Sequence, residues 1–119
     1  MADMKILVVD DEIAIRHFLK YFLSFNGYHV DCASDGLEGL ELIEDNSYDL
    51  VIVDYIMPKM DGLEFVKQVR RKWQSIPVFA MSGSQVKDQF LEAGADLFIQ
   101  KPVKPEQLKK AIEAVAMRT

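Results

Sequence analysis

The chain has 119 residues, of which 50% are apolar and 28% are charged. This length is enough to bury one core and too short for two ordinary domains, so we expect a single domain over residues 1–119. The 19 acidic and 14 basic side chains give a net charge of −5, which argues against direct binding of nucleic acid.

The same composition bears on the compartment. No apolar run approaches the roughly 20 residues that a helix needs to cross a bilayer, so we expect no membrane association. Cys32 is the only cysteine and cannot form a disulfide within the chain, which is typical of a reducing compartment. The sequence therefore predicts a soluble, cytoplasmic protein.

Short apolar runs alternate with longer amphipathic stretches along the chain. In the first such stretch, residues 14–25, apolar side chains recur at helical spacing, and Asn26-Gly27 is a typical helix end. Strands are predicted at residues 5–9, 29–33, 50–54, 77–81 and 97–100, and helices at residues 14–25, 36–44, 62–72, 86–93 and 105–117.

Strict alternation of strands and helices predicts an α/β fold. Parallel neighbours need right-handed helical crossovers, so the five predicted strands form a doubly wound parallel sheet with helices on both faces. Each strand is then expected to be apolar on both faces. Ligands of such sheets bind beyond the carboxyl ends of the strands, so polar residues at these ends are candidate site residues.

Acidic residues follow two of the predicted strands. Asp10, Asp11 and Glu12 come after the first strand, and Asp54 ends the third. Carboxylates gathered in one crevice repel one another unless they are protonated or hold a hard divalent cation. Mg²⁺ fits best, with Mn²⁺ as a substitute, because it takes one or two carboxylates together with waters and phosphate oxygens.

The same edge carries groups for phosphoryl transfer. Asp54 could accept a phosphoryl group if nearby positive charge neutralised that group. Lys101, after the fifth strand, offers an ammonium to one phosphoryl oxygen, and Ser82, after the fourth, offers a hydroxyl to another.

Four motifs occur in order at the strand ends: VVDDE, VIVDYIMPKMDG, MSG and AGADLFIQKP. Over the whole chain they resemble the receiver domain of two-component response regulators. The resemblance implies a flavodoxin-like strand order 2-1-3-4-5. It also implies a switch that catalyses only its own phosphorylation and dephosphorylation, and is not otherwise an enzyme.

The resemblance assigns the metal site and the phosphoacceptor. Asp54 matches the phosphoacceptor, and Asp10 and Asp11 match the acidic pair that holds Mg²⁺. Asp54 and the backbone carbonyl of Ile56 would supply the remaining protein ligands.

The resemblance also assigns the switch residues. Ser82 matches the hydroxyl that moves toward the phosphoryl group, and Lys101 matches the lysine that pairs with that group. Phe98 matches the aromatic residue whose rotamer reports the state of the hydroxyl residue. Lys101-Pro102 matches a cis peptide bond.

The implied phosphoryl donor is a histidine kinase or a histidine phosphotransfer protein, and the output is an unidentified downstream protein. The first predicted helix carries a second apolar set that cannot all face the core. The resemblance places the donor surface around this helix and the loop after the fifth strand, so we expect the donor to contact four residues: Ala14, Ile15, Phe18 and Val103. The alternative is that these residues only broaden the contact with the core.

The sequence departs from the family pattern at three places: the length of the stretch after Ser82, Gly83 where alanine is common, and Ile56. From Ser82 to Lys101 it is shorter than most receivers by about three residues, nearly one helical turn. The shortening must fall in the loop after the fourth strand or in the fourth helix, and we expect a shortened helix. Ile56 puts an apolar side chain beside the path of hydrolytic water, so we expect it to change the lifetime of the acyl phosphate.

Two other functions do not fit the sequence, and one alternative remains open. A hydrolase of the haloacid dehalogenase type needs a second aspartate two residues after the nucleophile, where this chain has Ile56. An FMN binder needs a phosphate loop after the first strand, but DDEIAIR is acidic and would repel phosphate. The remaining alternative is a receiver-like interaction module that no longer uses phosphorylation.

Overall fold

The computed structural model describes residues 3–117, in which five strands alternate with five helices. The strands are β1 Lys5–Val9, β2 His29–Ala33, β3 Leu50–Asp54, β4 Val78–Ser82 and β5 Leu97–Gln100. The helices are α1 Ile13–Phe25, α2 Gly36–Asp45, α3 Gly62–Lys72, α4 Lys87–Ala93 and α5 Pro105–Ala116.

The strands form one parallel sheet in the order β2-β1-β3-β4-β5. The predicted doubly wound α/β fold is therefore confirmed. Val9 pairs with Val53, so β1 and β3 end side by side, and Ser82 pairs with Gln100 at the ends of β4 and β5. This register brings the polar residues that follow each strand to one edge of the sheet.

The sheet separates two apolar cores. One core includes Phe65, Val66 and Phe90, and the other includes Leu19, Leu23 and Leu108. Alternate side chains of the central strands enter opposite cores, which is why all residues of β3 and β4 are buried.

The expectation that every strand is apolar on both faces is wrong for the two edge strands. His29 in β2 is exposed, and so are Leu97 and Gln100 in β5. An edge strand has a neighbour on one side only, so its ends lie at the rim of the helical layers.

Most element ends agree with the sequence prediction, and β4 is displaced by one residue. It spans Val78–Ser82 because Pro77, which has no N–H to donate, only accepts a hydrogen bond from Val51 N–H at 3.0 Å. The fourth helix is short as predicted. It has 7 residues, whereas the other four helices have 10 to 13, and it ends at Gly94 with φ +114°.

No helix within residues 3–117 combines the length and the apolar character needed to cross a membrane.

Candidate functional site

Buried carboxylates lie where β1 and β3 end. The Asp10 side chain is fully buried, and Asp54 is 6% exposed. Asp10 is fixed by its backbone N–H, which donates to Ala33 O at 3.1 Å, and by Glu12 N–H, which donates to Asp10 Oδ1 at 2.9 Å. Carboxylate oxygens of Asp10, Glu12 and Asp54 lie within 4.8 Å of one another.

Lys101 places one ammonium against this group of acids. Its Nζ lies 3.0 Å from Asp54 Oδ1, 3.5 Å from Asp10 Oδ2 and 3.7 Å from Glu12 Oε1. Three carboxylates thus surround one ammonium. A hard divalent cation with oxygen ligands would balance the remaining negative charge, so the residues present fit Mg²⁺.

Burial controls the ionisation of Asp10. Burial is the largest effect on the pKa of the Asp10 carboxyl, which is raised to about 6, and the negative charge of Asp54 acts in the same direction. The hydrogen bond from Glu12 N–H and the nearby Lys101 lower this pKa but do not outweigh burial. Burial alone would lower the pKa of Lys101. The hydrogen bond to Asp54 and the charges of Asp10, Asp54 and Glu12 outweigh that effect, so the pKa of Lys101 is raised and the ammonium is retained.

Ser82 ends β4 with a nearly buried side chain. Its Oγ accepts a hydrogen bond from Ser84 N–H at 2.9 Å, and its carbonyl accepts one from Lys101 N–H at 2.9 Å. The backbone of the predicted hydroxyl residue is therefore tied directly to that of the predicted lysine.

An open cleft of about 380 Å³ lies over these residues. It is lined by Asp11, Glu12, Asp54, Ile56, Ser82, Gly83, Ser84 and Lys101. Ile56 stands at the cleft with 67% of its surface exposed. Ile56 and Asp54 thus line the same cleft, as expected from the sequence.

The acidic cluster differs in one member from the sequence expectation. Asp11 lines the cleft but lies outside the group of carboxylates that approach within 4.8 Å, whereas Glu12 belongs to that group. Asp11 is exposed, while Glu12 precedes α1 and directs its carboxylate toward Lys101. The sequence predicts Glu12 only as one of the acids that follow the first strand. The turn between β1 and α1 brings Glu12 to Lys101, and no sequence motif specifies that turn.

The loop after Asp54 packs closely against its own strand. Gly62 N–H donates to Tyr55 O at 2.7 Å, and a Cβ at Gly62 would lie 2.1 Å from the backbone oxygen of Asp54. Only glycine fits this approach. Asp61 caps α3 by accepting from Glu64 N–H at 2.9 Å. The Lys101-Pro102 bond is cis, as the resemblance implied.

Phe98 does not line the cleft. It is half-buried in β5, and its ring centroid lies 6.0 Å from that of Phe90 in α4. Phe90 in turn lies 5.8 Å from the ring of Tyr55, the residue after the predicted phosphoacceptor. Nothing in the sequence motifs pointed to Phe90.

The residues expected to contact a donor lie on and near α1. Ala14 is exposed and Phe18 is 43% exposed, with its ring stacked on Phe22 at 5.9 Å. Ile15 and Val103 are half-buried and pack against the core that contains Leu19 and Leu23. The structure thus leaves an apolar surface on α1, next to the strand that leads into the acidic cluster.

Comparisons with known proteins identify the family of the chain. The family model for the response regulator receiver domain matches residues 6–113. The chain is 41% identical to the response regulator MprA of Mycobacterium sp. (strain KMS) and 40% identical to that of Mycobacterium leprae (strain TN). Each match covers 98% of this chain and 52% of the relative, so the chain spans about half the length of these relatives.

Solved structures show the same fold. The chemotaxis protein CheY4 of Vibrio cholerae superposes with a TM-score of 0.90 at 35% identity, over 96% of this chain and 99% of that one. The response regulator TrrA of Thermotoga maritima, solved in complex with Mg²⁺-BeF, gives 0.88 at 33% identity, over 94% and 98%. The chain therefore belongs to the family of response regulator receiver domains, which act in two-component phosphorylation signalling.

Proposed function

We propose that the chain is a phosphorylation-dependent switch in which Asp54 accepts a phosphoryl group from a histidine kinase or a histidine phosphotransfer protein. The observation that carries this proposal is the position of Asp54, whose Oδ1 lies 3.0 Å from Lys101 Nζ within a group of three carboxylates. Family membership and the open cleft at this point support the same role.

Four groups of this chain would hold the metal: the carboxylates of Asp10, Asp11 and Asp54 and the backbone carbonyl of Ile56. The approach of Glu12 to Asp10 and Asp54 makes it a further oxygen donor at this position. When bound, Mg²⁺, or Mn²⁺ in its place, neutralises negative charge on the transferring phosphoryl group.

The side chains then have separate roles in the transfer. A carboxylate oxygen of Asp54 attacks phosphorus while the bond from phosphorus to the donor imidazole nitrogen breaks, and the bonding electrons stay with that nitrogen. The Lys101 ammonium pairs with one phosphoryl oxygen, and the Ser82 hydroxyl donates a hydrogen bond to another. Attack of water on the acyl phosphate later restores the Asp54 carboxylate and releases inorganic phosphate.

The output in this proposal is a shift between two conformations that already exist in the unphosphorylated domain. Movement of Ser82 toward the phosphoryl group frees space that Phe98 then enters. The domain covers residues 1–119, although its first two and last two residues lie outside the part described. Ala14, Ile15, Phe18 and Val103 contact the donor, and the protein acts in the cytoplasm without binding nucleic acid itself.

Intact-mass spectrometry after incubation with acetyl phosphate or phosphoramidate tests the proposal. We expect a gain of one phosphoryl group with Mg²⁺, no gain with a chelator, and no gain in Asp54→Asn. Addition of the group to Asp54→Asn at the same rate would contradict the assignment of the phosphoacceptor.

A phosphorylation-independent interaction module remains the second candidate, and the 7-residue α4 favours it because a short helix offers less surface for a switch-dependent partner. Failure of both small donors and of a phosphorylated kinase to modify Asp54 would favour this candidate.

A further inference from the structure

Helix α4 is held to the sheet mainly through one side chain. Phe90 is the only buried residue among the seven of α4, all of which the structure describes, and it is 0% exposed. Its neighbour Leu91 is 41% exposed. The orientation of α4 against the sheet therefore depends on the position of the Phe90 ring.

That ring lies between two other aromatic side chains. The Tyr55 ring meets it edge to face at 5.8 Å and 82°, and the Phe98 ring lies 6.0 Å away at 33°. Both distances fall in the range of favourable aromatic pairs, about 4.5–7 Å between centroids. Tyr55 follows Asp54 directly, and Phe98 lies in the strand that leads to Lys101. Phe90 thus joins the two sides of the site.

The backbone of Phe90 also closes the C-terminal end of α4. Its carbonyl accepts hydrogen bonds from Gly94 N–H at 3.2 Å and from Ala95 N–H at 3.0 Å. A displacement of the Phe90 ring that rotation of its own side chain does not absorb therefore moves the last turn of the helix, which these bonds tie to the Phe90 backbone. Because protein interiors are close-packed, a turn of either aromatic neighbour creates a clash or a gap, and the Phe90 ring relieves either one by moving.

We infer that Phe90 is a positioning residue that couples the orientation of α4 to the phosphorylation site through its ring contacts with Tyr55 and Phe98. The inference rests on the proposed function, in which Phe98 turns when Asp54 is phosphorylated. Phe90 touches no reacting atom and acts through its two neighbours. A partner that reads the exposed side of α4 would read the state of Asp54 by this route.

Backbone amide chemical shifts test the coupling, with Mg²⁺ and beryllofluoride as the probe because beryllofluoride imitates a phosphoryl group on aspartate. In the unmodified protein we expect the probe to shift the amides of Ser82, Lys101 and Lys87–Ala93. In Phe90→Leu the shifts of Ser82 and Lys101 should remain, while those of Lys87–Ala93 fall below about a third of their original size, because leucine loses both ring contacts.

Phe65→Leu is the matched control. Phe65 is also a phenylalanine with 0% exposure in the same core, but it lies on α3, beside Gly39 of α2. Phe65→Leu should lose about as much stability as Phe90→Leu and keep the full amide shifts of Lys87–Ala93. Phe90→Met, which fills the space without a ring, serves as a second variant and should lose the α4 response even if Phe90→Leu does not fold.

An α4 response of original size in either Phe90 variant would overturn the inference. An equal loss in Phe65→Leu would overturn it as well, because the effect would then come from a loosened core. If the probe shifts neither Ser82 nor Lys101 in the unmodified protein, the proposed function fails, and the inference fails with it. These outcomes separate failure of the coupling from failure of the proposed function.

Discussion

The buried carboxylate of Asp10 lowers the stability of the metal-free domain at neutral pH. Burial raises the pKa of its carboxyl to about 6 from the ordinary 3.8. Between these two pH values the folded state therefore holds a proton that the unfolded chain has already lost. Stability should therefore fall as pH rises from about 4 to about 6 and stay lower above that. A bound cation would relieve the penalty.

Asp10→Asn should stabilise the metal-free domain at pH 7. The substitution removes the cost of a buried charge, so the free energy of unfolding should rise by about 1–3 kcal/mol, and the gain should shrink toward pH 4. Urea unfolding in chelator at both pH values measures this. Added Mg²⁺ should stabilise the original protein more than the variant.

Glu41→Gln is the control for that experiment, because Glu41 is exposed on α2. It should stay within about 0.5 kcal/mol of the original protein at either pH. Loss of stability in Asp10→Asn at pH 7 would show that Asp10 is favourably ionised in the fold and would contradict the account of its pKa.

We expect Ile56 to control the access of water to the proposed acyl phosphate. Its side chain lines the cleft beside Asp54 with 67% exposure. In Ile56→Asn a polar side chain can orient water for attack, so dephosphorylation should accelerate by about tenfold, equivalent to about 1.4 kcal/mol in the barrier. Decay of the phosphorylated protein after removal of the donor gives the rate.

Leu37→Asn is the matched control for Ile56→Asn, since Leu37 is 47% exposed on α2 and does not line the cleft. Its decay rate should equal that of the original protein. An unchanged rate in Ile56→Asn would remove Ile56 from the account of phosphate lifetime.

Among elements, the junction of β3 and α3 depends most clearly on one glycine. A methyl group at Gly62 would meet the Asp54 backbone oxygen at 2.1 Å, so Gly62→Ala must push α3 away from the end of β3. We expect a loss of about 2–3 kcal/mol in urea unfolding, together with slower phosphorylation of the displaced Asp54.

Gly83→Ala is the control for Gly62→Ala, because Gly83 is a glycine that lines the cleft without close packing. A Cβ at Gly83 would have no heavy atom within 4 Å apart from its chain neighbours, so stability should change by less than about 1 kcal/mol. Equal stability of the two variants would mean that the close packing at Gly62 is not maintained in solution.

Helix α1 carries the surface proposed for the donor. Phe18 is 43% exposed near its middle, whereas Phe25 is 81% exposed at its far end. Phe18→Asp should slow transfer from the cognate kinase by about tenfold, because a charge replaces an apolar contact, and should leave labelling by acetyl phosphate unchanged.

Phe25→Asp places the same charge on the same helix, about 10 Å from position 18, and should leave kinase transfer close to normal. Normal transfer in Phe18→Asp, with the fold intact, would show that the exposed residues of α1 only broaden the contact with the core.

At the scale of the whole molecule, the order of elements and most of their bounds could be predicted from the sequence. Periodicity identifies strands and helices, and the alternation requires parallel pairing with crossovers. The one-residue displacement of β4 could not be predicted, because it depends on how Pro77 and Ser82 pair with neighbouring strands.

The site could be predicted in part. Asp54, Ser82 and Lys101 meet because strand ends must meet at one edge of the sheet. The approach of Glu12 to Asp10 and Asp54 depends on the turn between β1 and α1, which a motif does not specify. The burial of Phe90 between Tyr55 and Phe98 depends on three elements that pack together, so no local pattern indicated it.

The most direct test of the central claim is to map the phosphorylated residue. After incubation with a small phosphoryl donor and Mg²⁺, borohydride reduces an acyl phosphate to an alcohol, and peptide mass spectrometry locates the change. The account predicts reduction of Asp54 alone, abolished when chelator replaces Mg²⁺. A reduced residue elsewhere, such as Asp10 or Glu12, would contradict the assignment of Asp54 as the phosphoacceptor.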